Sequence, residues 1–352
     1  MQIDADSTWR TRQLARHGLS RPVSGEDAFV ELFRRLQPVP PMANSYPGSA
    51  PRLEHRVAGA TTEDARLADE LRATHRLIKG RYFGGRVGYV WMEDLPLFAA
   101  ACRRPLQRFN DRQQAVVRAF EVSGPLSPRQ LREQTGLPHK LLMGAVNRLE
   151  EAFIVCEDQT DEAWDRPLHL FEREWPEAHE AHIDPLVARK QVFMRWAEND
   201  IVVTMEGATL LTGWPKRQTA SLLLELLKEG ELLDAGVVDA APAYLAQDKP
   251  STNPEVPKTV RVMHRDDPLV RPMLSELKRR YSHLEVLKYL LIDDRIGGAV
   301  CGHWRISPHD VEDIVIDDEE VAVERRAEIL QAVLASYPPP ERQILQFAGE
   351  PL

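Results

Sequence analysis

The sequence lacks the short motifs that identify most common enzyme classes. Its 352 residues contain no P-loop, no GxGxxG and no GxSxG. The 11 histidines never take HExxH spacing, and the three cysteines (Cys102, Cys156 and Cys301) are too scattered for a CxxC metal site or a disulfide framework. We therefore expect no metal and no cofactor, and we expect the cysteines to be reduced and buried.

Long apolar segments are also missing. No apolar run approaches the ~20 residues of a membrane-spanning helix, and the N-terminus is polar and acidic, which predicts the absence of a signal peptide. Hydrophobic residues make up 43% of the chain and charged residues 28%, as in ordinary globular proteins. We expect about two to four modules in a cytoplasmic protein, associated with the nucleoid if the source is bacterial.

The net charge of −9 is unevenly distributed along the chain. Residues 1–110 contain 17 Lys and Arg against 12 Asp and Glu, whereas residues 111–180 contain 8 against 14 and the remaining residues 20 against 28. A local basic surface can bind phosphates while the rest of the molecule stays acidic. The distribution therefore leaves nucleic acid open as a partner despite the acidic total.

A proline-rich loop lies within this basic part of the chain. Five prolines fall between residues 38 and 51, which excludes a helix or a central strand there. Basic residues bracket the loop on both sides (Arg34, Arg35, Arg52 and Arg56), and we expect them to contact phosphates. Within the loop, Tyr46 offers an aromatic surface on which a base could stack.

Gln37 stands where the preceding helix meets this loop. Phe29, Phe33 and Leu36 repeat at helical spacing and predict a buried face, so Gln37, four residues after Phe33, would project from its border. From that position its amide could face a cleft. The alternative is a polar helix end that satisfies backbone groups.

Helical and hairpin patterns alternate in the next 150 residues. Apolar residues around Gly84-Gly85 predict a hairpin that contains Lys79, Arg81 and Arg86, which we also expect to contact phosphates. A short helix is predicted to begin at Ser127 and Pro128 and to end at Gly136. A second helix and a strand follow it, as in a winged helix. A looser copy follows over residues 183–233. Beyond residue 240, short β-branched runs predict a small sheet or barrel with a last helix.

Several stretches also resemble a known family. They are Leu36-Gln37, the hairpin from Leu77 to Val90, Glu93-Asp94-Leu95-Pro96, Asp266-Asp267-Pro268, and Leu291-Ile292-Asp293 through His303-Trp304. Their order over the whole chain resembles the YcaQ/AlkZ-type winged-helix DNA glycosylases, which are linked to the repair of interstrand crosslinks and bulky alkyl lesions. The resemblance implies three tandem winged helices around a DNA channel and a C-terminal β-barrel.

The predicted fold class is therefore α+β and predominantly helical. We expect four domains: residues 1–108 form winged-helix module 1 with the Gln37 loop, 109–180 module 2, 181–240 module 3, and 241–352 a β-barrel-like domain with a terminal helix. Winged helices serve both DNA binding and protein interaction, so the fold alone does not decide the function.

The resemblance also implies a catalytic motif. In the family a Gln-x-Gln or Gln-x-Asp pair positions and deprotonates the water that attacks the sugar C1′. Gln37 matches the first position, but the second is Val39, which can neither accept a hydrogen bond nor take a proton. Three outcomes stay open. Another loop residue (Asn44, Glu54 or His55) supplies the second function, Gln37 alone suffices for a labile cationic lesion, or the protein binds DNA without cleaving the bond.

We accordingly expect a monofunctional DNA glycosylase that acts on alkylated bases, such as N7-alkylpurines or crosslinked bases, with Gln37 orienting the water. The alternative is a non-catalytic winged-helix protein that binds DNA or regulates its use. In either case the expected partner is double-stranded DNA, with no membrane and no metal, and the expected state is a monomer.

Overall fold

The computed structural model describes residues 8–41, 48–60, 62–238, 241–246, 255–303 and 309–352. Helices account for 46% of the described residues and strands for 21%. The prediction of a predominantly helical α+β protein is therefore confirmed. Among the described residues, no helix is both long enough and apolar enough to cross a membrane.

In the first part of the chain, the described residues form four α-helices and one hairpin. These elements are α1 (Thr8–Arg16), α2 (Glu26–Leu36), α3 (Glu63–Ala73), β1 (Leu77–Phe83), β2 (Arg86–Trp91) and α4 (Leu95–Cys102). The apolar face predicted for α2 is buried as expected, with Phe29 and Phe33 fully covered. The hairpin turns at Gly84 and Gly85, both at positive φ, where glycine is favoured. α2, α3 and the hairpin share one hydrophobic cluster.

The second part contains short helices and a small two-stranded sheet. Its elements are α5 (Asp111–Ser123), α6 (Pro128–Thr135), α7 (His139–Glu151), β3 (Val155–Glu157), β4 (Leu168–Leu170), α8 (Phe171–Glu174) and α9 (Pro176–Glu180). Ser127 caps α6 in a capping box with Gln130, and Gly136 ends the helix in the left-handed conformation. These local signals explain why the sequence located α6 closely.

The third part repeats helices followed by a sheet. Its elements are α10 (Pro185–Asp200), β5 (Val202–Thr204), α11 (Met205–Thr212), α12 (Lys216–Glu229), β6 (Leu232–Val238) and β7 (Ala241–Ala246). The three strands pair antiparallel in the order β5-β7-β6. α10 packs against α4 and contributes Phe193 and Trp196 to the largest hydrophobic cluster. This packing joins the third part of the chain to the first.

The C-terminal part is built around one six-stranded sheet. Its elements are β8 (Val260–Met263), α13 (Leu274–Arg280), β9 (Val286–Ile292), β10 (Arg295–Cys301), β11 (Asp313–Ile316), α14 (Glu319–Glu324), α15 (Arg326–Ser336), β12 (Gln346–Phe347) and β13 (Glu350–Pro351). The strand order is β13-β12-β11-β10-β9-β8, with a parallel pair between β11 and β12. Within the described residues the first and last strands do not pair, so the expectation of a C-terminal β-barrel is wrong. α15 packs against β8 and covers one face of the sheet.

The N-terminal segment also packs against the C-terminal part. Leu14 and Leu19 share a buried cluster with Leu269 and Leu277. Beside it, Arg56 makes a bidentate ion pair with Asp267, in which both N–O distances are 2.8 Å. The proline-rich loop that joins α2 to α3 is thereby attached to the segment between β8 and α13.

Candidate nucleic-acid interface

Gln37 lies at the end of α2, and its side chain points into the protein. The residue is 1% exposed. Its Nε2 donates to Asp94 Oδ2 at 2.7 Å, and its Oε1 accepts the Trp91 N–H at 2.7 Å. The indole of Trp196 donates to the Gln37 backbone carbonyl at 2.9 Å. Both ends of the amide therefore have protein partners. The expectation that Gln37 projects toward an open cleft is not met.

Asp94, which directly precedes α4, is the centre of this polar network. Its Oδ2 accepts Arg34 Nε at 2.9 Å as well as the Gln37 amide, and its Oδ1 accepts Arg195 at 3.2 Å. Burial raises the pKa of Asp94, but the hydrogen bonds from Arg34 and Gln37 and the charge of Arg195 lower it below the ordinary value. The carboxylate is therefore held ionised between α2, α4 and α10.

Val39 lies in the hydrophobic core. It is 0% exposed and pairs through its backbone with Tyr89 of β2, in both directions at 2.9 Å. Pro41 pairs with Pro51 across the described ends of the loop. The side chain at position 39 belongs to the buried hydrophobic cluster that also contains Leu36 and Leu53. A polar side chain at this position would be buried, since the backbone pairing fixes its direction.

The other catalytic candidates that the structure describes, Glu54 and His55, do not lie beside the Gln37 side chain. Asn44, like Tyr46, lies outside the described residues. His55 contacts the C-terminal sheet, where its Nε2 is 3.0 Å from the Val262 carbonyl oxygen, and burial lowers its pKa below the ordinary value. Glu54 lies 3.5 Å from both Arg52 and Lys288. None of the described candidates lies within hydrogen-bond distance of the Gln37 amide, whose partners are Asp94 and Trp91.

The basic residues that bracket the loop are engaged within the protein. Arg52 pairs with Asp64 at 2.8 Å, and Arg35 donates to Glu31 and to the Arg16 carbonyl. Arg34 is 44% exposed at its side chain but donates to Asp94. Arg56 has no exposed surface, so it cannot contact a phosphate, and the expectation for that residue is wrong. The sequence indicated a basic segment, but each of these arginines is paired with a carboxylate of the protein itself.

A cavity of about 570 Å³ lies beside the hairpin, and we call it the basic cavity. Pro40, Pro41 and Ser49 line one side of it. Its lining includes seven basic residues, namely Lys79, Arg81, Arg86, Arg166, Arg265, Arg271 and Lys278. Of the described residues that line it, only Glu157 and Asp266 are acidic. The structure therefore brings Lys79, Arg81 and Arg86 together, and adds a cation from the loop between β3 and β4 and others from the segment around α13.

The cations of the basic cavity differ in whether a nearby acidic side chain neutralises their charge. Lys79 and Arg166 both bind Glu157, at 2.6 and 2.5 Å, and Arg81 binds the buried Glu150 at 2.6 Å. Arg86 and Arg265, in contrast, have side chains 54% and 66% exposed. Lys278 is also exposed. The exposed cations are the ones that can reach a polyanion.

Asp266 places a carboxylate within this positive surface. It is 8% exposed, and its oxygens lie 3.8 Å from Arg86 NH1, 3.8 Å from Arg265 Nε and 3.9 Å from His264 Nδ1. Arg271 lies deeper and is 3% exposed. Burial, followed by repulsion from Arg86, lowers the pKa of Arg271 to about 9. The carboxylate is therefore surrounded by positive charge on several sides.

Sequence reasoning missed five residues of the basic cavity: Trp164, Arg166, Arg265, Arg271 and Lys278. Trp164 has a local signal, because a tryptophan within the polar stretch between two short strands is poorly placed for burial. The residues around α13 have no such signal. They follow the hairpin by about 180 positions in the sequence, and only the tertiary fold brings them beside Arg86.

The described residues contain no group of three or more His, Cys, Asp or Glu side chains suited to a metal ion. All three cysteines are buried and free, as the sequence predicted. Burial raises the pKa of each thiol, to about 12 for Cys102 and Cys301.

A solved structure shares this fold over nearly the whole chain. Streptomyces sahachiroi DNA glycosylase AlkZ superposes with a TM-score of 0.70 over 99% of this chain and 100% of its own, at 13% sequence identity. No protein-family model and no curated protein sequence matches the chain. The structural likeness agrees with the resemblance drawn from the sequence and establishes the fold.

Proposed function

We propose that this protein, which has the fold of a DNA glycosylase, binds DNA in the basic cavity and acts in DNA repair. The observation that supports this proposal most is the concentration of seven basic and two acidic residues around one cavity of about 570 Å³. Lys and Arg that contact phosphates release counterions from DNA, and this release supplies much of the binding free energy.

The proposal includes the interpretation of the helical parts as winged helices. On this view β1–β2, β3–β4 and β6–β7 are the wings of three modules, the first two within residues 1–108 and 109–180. Because β7 pairs with β5 and β6, the third module extends from residue 181 through β7 to residue 246, beyond the predicted boundary at 240, and the C-terminal domain follows it. The first wing contributes Arg86 to the basic cavity, and the loop of the second contributes Trp164 and Arg166. Two wings and the segment around α13 would then hold the DNA backbone together.

Glycosylase activity on alkylated bases is the first candidate for the chemistry. Hydrolysis at C1′ needs an oxygen that holds the water and stabilises the positive charge of the transition state. In this chain the Gln37 amide is bonded to Asp94 and Trp91, and Val39 is buried. Two carboxylates line the basic cavity, and Glu157 already binds Lys79 and Arg166, which leaves Asp266. We therefore assign the water-holding role to Asp266, in place of the pair at positions 37 and 39.

Binding without hydrolysis is the second candidate. The burial of both Gln37 and Val39 favours it, because these positions match the catalytic motif of the family that the sequence resembles. On this candidate the protein recognises damaged or altered DNA, and Asp266 orients the cations around it.

The binding proposal can be tested by titrating labelled duplex DNA at several salt concentrations. We expect affinity to fall as salt rises, and Arg86→Gln and Arg265→Gln to lower the salt slope by about 1 each. The matched control is Arg118→Gln, which removes an exposed arginine of α5 outside the basic cavity. Salt-independent binding, or equal effects of all three substitutions, would contradict the proposal.

Release of N7-methylguanine from methylated DNA separates the two candidates. If the protein is a glycosylase, Asp266→Asn is expected to lower the rate about a hundredfold or more while DNA affinity is retained. Gln37→Ala, assayed at a temperature where it is folded, is expected to retain activity. No release of any alkylated base by the wild-type protein would leave binding without hydrolysis as the function.

A further inference from the structure

Trp164 exposes a large aromatic surface at the basic cavity. Its residue surface is 72% exposed, whereas Trp91, Trp196 and Trp214 are between 2% and 7% exposed. A tryptophan side chain is usually covered in a folded protein, because it buries a large apolar area. An exposed indole among arginines and lysines is therefore an indication of a binding surface.

The loop between β3 and β4 holds Trp164 through hydrogen bonds on both sides. Before it, the Asp158 carboxylate accepts the N–H groups of Thr160 and Asp161 at 2.9 and 2.7 Å. After it, Asp165 accepts the Ser127 hydroxyl and the Arg129 N–H, both at 2.9 Å. Because the supporting loop is already ordered, little conformational entropy remains to be lost when a ligand packs on the indole.

The charges around the indole identify the ligand class. Arg86, Arg265 and Lys278 line the same cavity as Trp164, and all three are exposed. Exposed cations beside an aromatic side chain are the combination that binds unpaired nucleotides, in which phosphates contact the cations and the base stacks on the ring. The cavity volume of about 570 Å³ lies within the range of about 300–1,000 Å³ that is typical of ligand sites.

In an intact duplex both faces of a base are already stacked on neighbouring bases. An indole can therefore cover a base only where the base is unpaired or has left the stack. Duplex DNA would engage Arg86, Arg265 and Lys278 and leave Trp164 uncovered. Contacts to the cations therefore predict binding to intact duplex as well, whereas stacking on Trp164 predicts a preference for DNA that contains an unpaired base.

We propose that Trp164 is a stacking platform for an unpaired nucleobase, whose flanking phosphates bind Arg86 and Arg265. The ligand is DNA with an unpaired nucleotide, such as a bubble or a single-stranded gap, and it is preferred to intact duplex. This inference rests on the proposed function, since it places DNA in the same cavity.

The test measures binding of three labelled DNAs at one low salt concentration: an intact duplex, the same duplex with a central unpaired bubble, and the single strand. Wild-type protein is expected to bind the bubble about tenfold more tightly than the intact duplex. Trp164→Ala is expected to weaken bubble binding about tenfold and to change duplex binding less than about twofold. Trp164→Phe should retain most of the preference, because it keeps an aromatic face.

A matched control removes another exposed aromatic side chain. Phe109, which is 37% exposed, does not line the basic cavity, so Phe109→Ala should leave all three affinities unchanged. In wild-type protein, bubble DNA should quench part of the tryptophan fluorescence, and Trp164→Phe should lose that part. Thermal unfolding of each variant checks that the fold is retained.

The outcomes distinguish this inference from the function on which it rests. If wild-type protein binds duplex and bubble equally, or if Trp164→Ala weakens both to the same extent, the stacking platform is refuted while DNA binding stands. If wild-type protein binds none of the three DNAs at low salt, the proposed function fails as well.

Discussion

At the scale of single residues, the chain uses Gln37 to join three elements. Its amide links Asp94, which precedes α4, to the Trp91 N–H at the end of β2, and its carbonyl accepts the indole of Trp196 on α10. A buried amide with both ends bonded stabilises the fold, because the loss of either bond leaves a buried polar group without a partner. Gln37, which was expected to hold a water molecule, thus joins elements inside the protein by hydrogen bonds.

Gln37→Ala is expected to reduce the free energy of unfolding by about 2–3 kcal/mol, since it removes the partner of the Trp91 N–H and one donor to Asp94. Chemical denaturation followed by circular dichroism measures this change. The control is Gln114→Ala on the exposed side of α5, which should shift stability by less than about 0.5 kcal/mol. Equal stability of the two variants would mean that the amide is not engaged as described.

There is a physical reason why the sequence wrongly predicted that the Gln37 amide faces an open cleft. Helical spacing correctly placed it beside the buried positions Phe33 and Leu36, but spacing cannot tell a border that faces solvent from one that faces another helix. The deciding partners, Asp94 and Trp196, follow 57 and 159 residues later. Likewise the sequence showed that Arg56 was basic, but its carboxylate partner Asp267 lies 211 residues away. Local patterns contain no information about such pairs.

At the scale of elements, the sequence predictions are accurate where the residues that determine an element lie within it or beside it in the sequence. α12 (Lys216–Glu229) lies within the stretch predicted to repeat the helical pattern, and its flanking residues Pro215 and Gly230 are local signals for a helix start and a helix end. The strands of the C-terminal part were also recognised from their β-branched residues. Whether a sheet closes depends on which edges pair, and here β8 and β13 lie at opposite edges. Strand patterns in the sequence alone do not show whether the two edge strands of a sheet pair with each other.

The tip of the β1–β2 hairpin depends on a glycine. Gly84 has φ +62°, and a Cβ built on it would lie 2.8 Å from the Gly213 carbonyl oxygen, at the end of α11. Any side chain at this position would therefore push the hairpin away from backbone that cannot yield easily. The close approach also positions the strand that contains Arg86 at the cavity.

Gly84→Ala is expected to destabilise the protein by about 2 kcal/mol, through backbone strain and this contact. Gly144→Ala is the matched control, because Gly144 is a helical glycine of α7 with no atom within 4 Å of the added Cβ. It should instead stabilise the protein by about 0.5–1 kcal/mol. Thermal unfolding of both variants gives the comparison, and the same sign of change in both would contradict the close approach at Gly213.

At the scale of the whole molecule, the parts of the chain are connected by polar contacts as well as by hydrophobic clusters. Arg56 and Asp267 are 0% and 1% exposed at their side chains, and Arg56 also donates to the His17 carbonyl at 2.8 Å. The pair joins the proline-rich loop, the segment after α1 and the C-terminal part at one point. Burial raises the pKa of Asp267, but Arg56 lowers it below the ordinary value, so the carboxylate is ionised.

Removing one partner of this pair is expected to destabilise the protein more than removing the charge of both. Arg56→Met leaves a buried carboxylate without its cation, at a cost of about 3–5 kcal/mol. Arg56→Met/Asp267→Asn has no unpaired charge there, and the asparagine can still accept the Leu269 N–H that Asp267 accepts at 2.9 Å. The double variant should therefore be more stable than Arg56→Met in urea denaturation.

Acidification provides an independent check on the same ion pair, because it is expected to change stability with opposite signs in the wild type and in Arg56→Met. In the wild type the pKa of Asp267 is below its unfolded value of about 3.9, so its contribution is present above pH 4 and is lost as pH falls further. In Arg56→Met, burial without the cation raises that pKa above the unfolded value, so the folded state binds the proton more tightly and gains stability on acidification. The stability difference between wild type and Arg56→Met should therefore shrink from pH 7 to pH 4. A difference that stays constant over this range would show that the charge of Asp267 is not what Arg56 compensates.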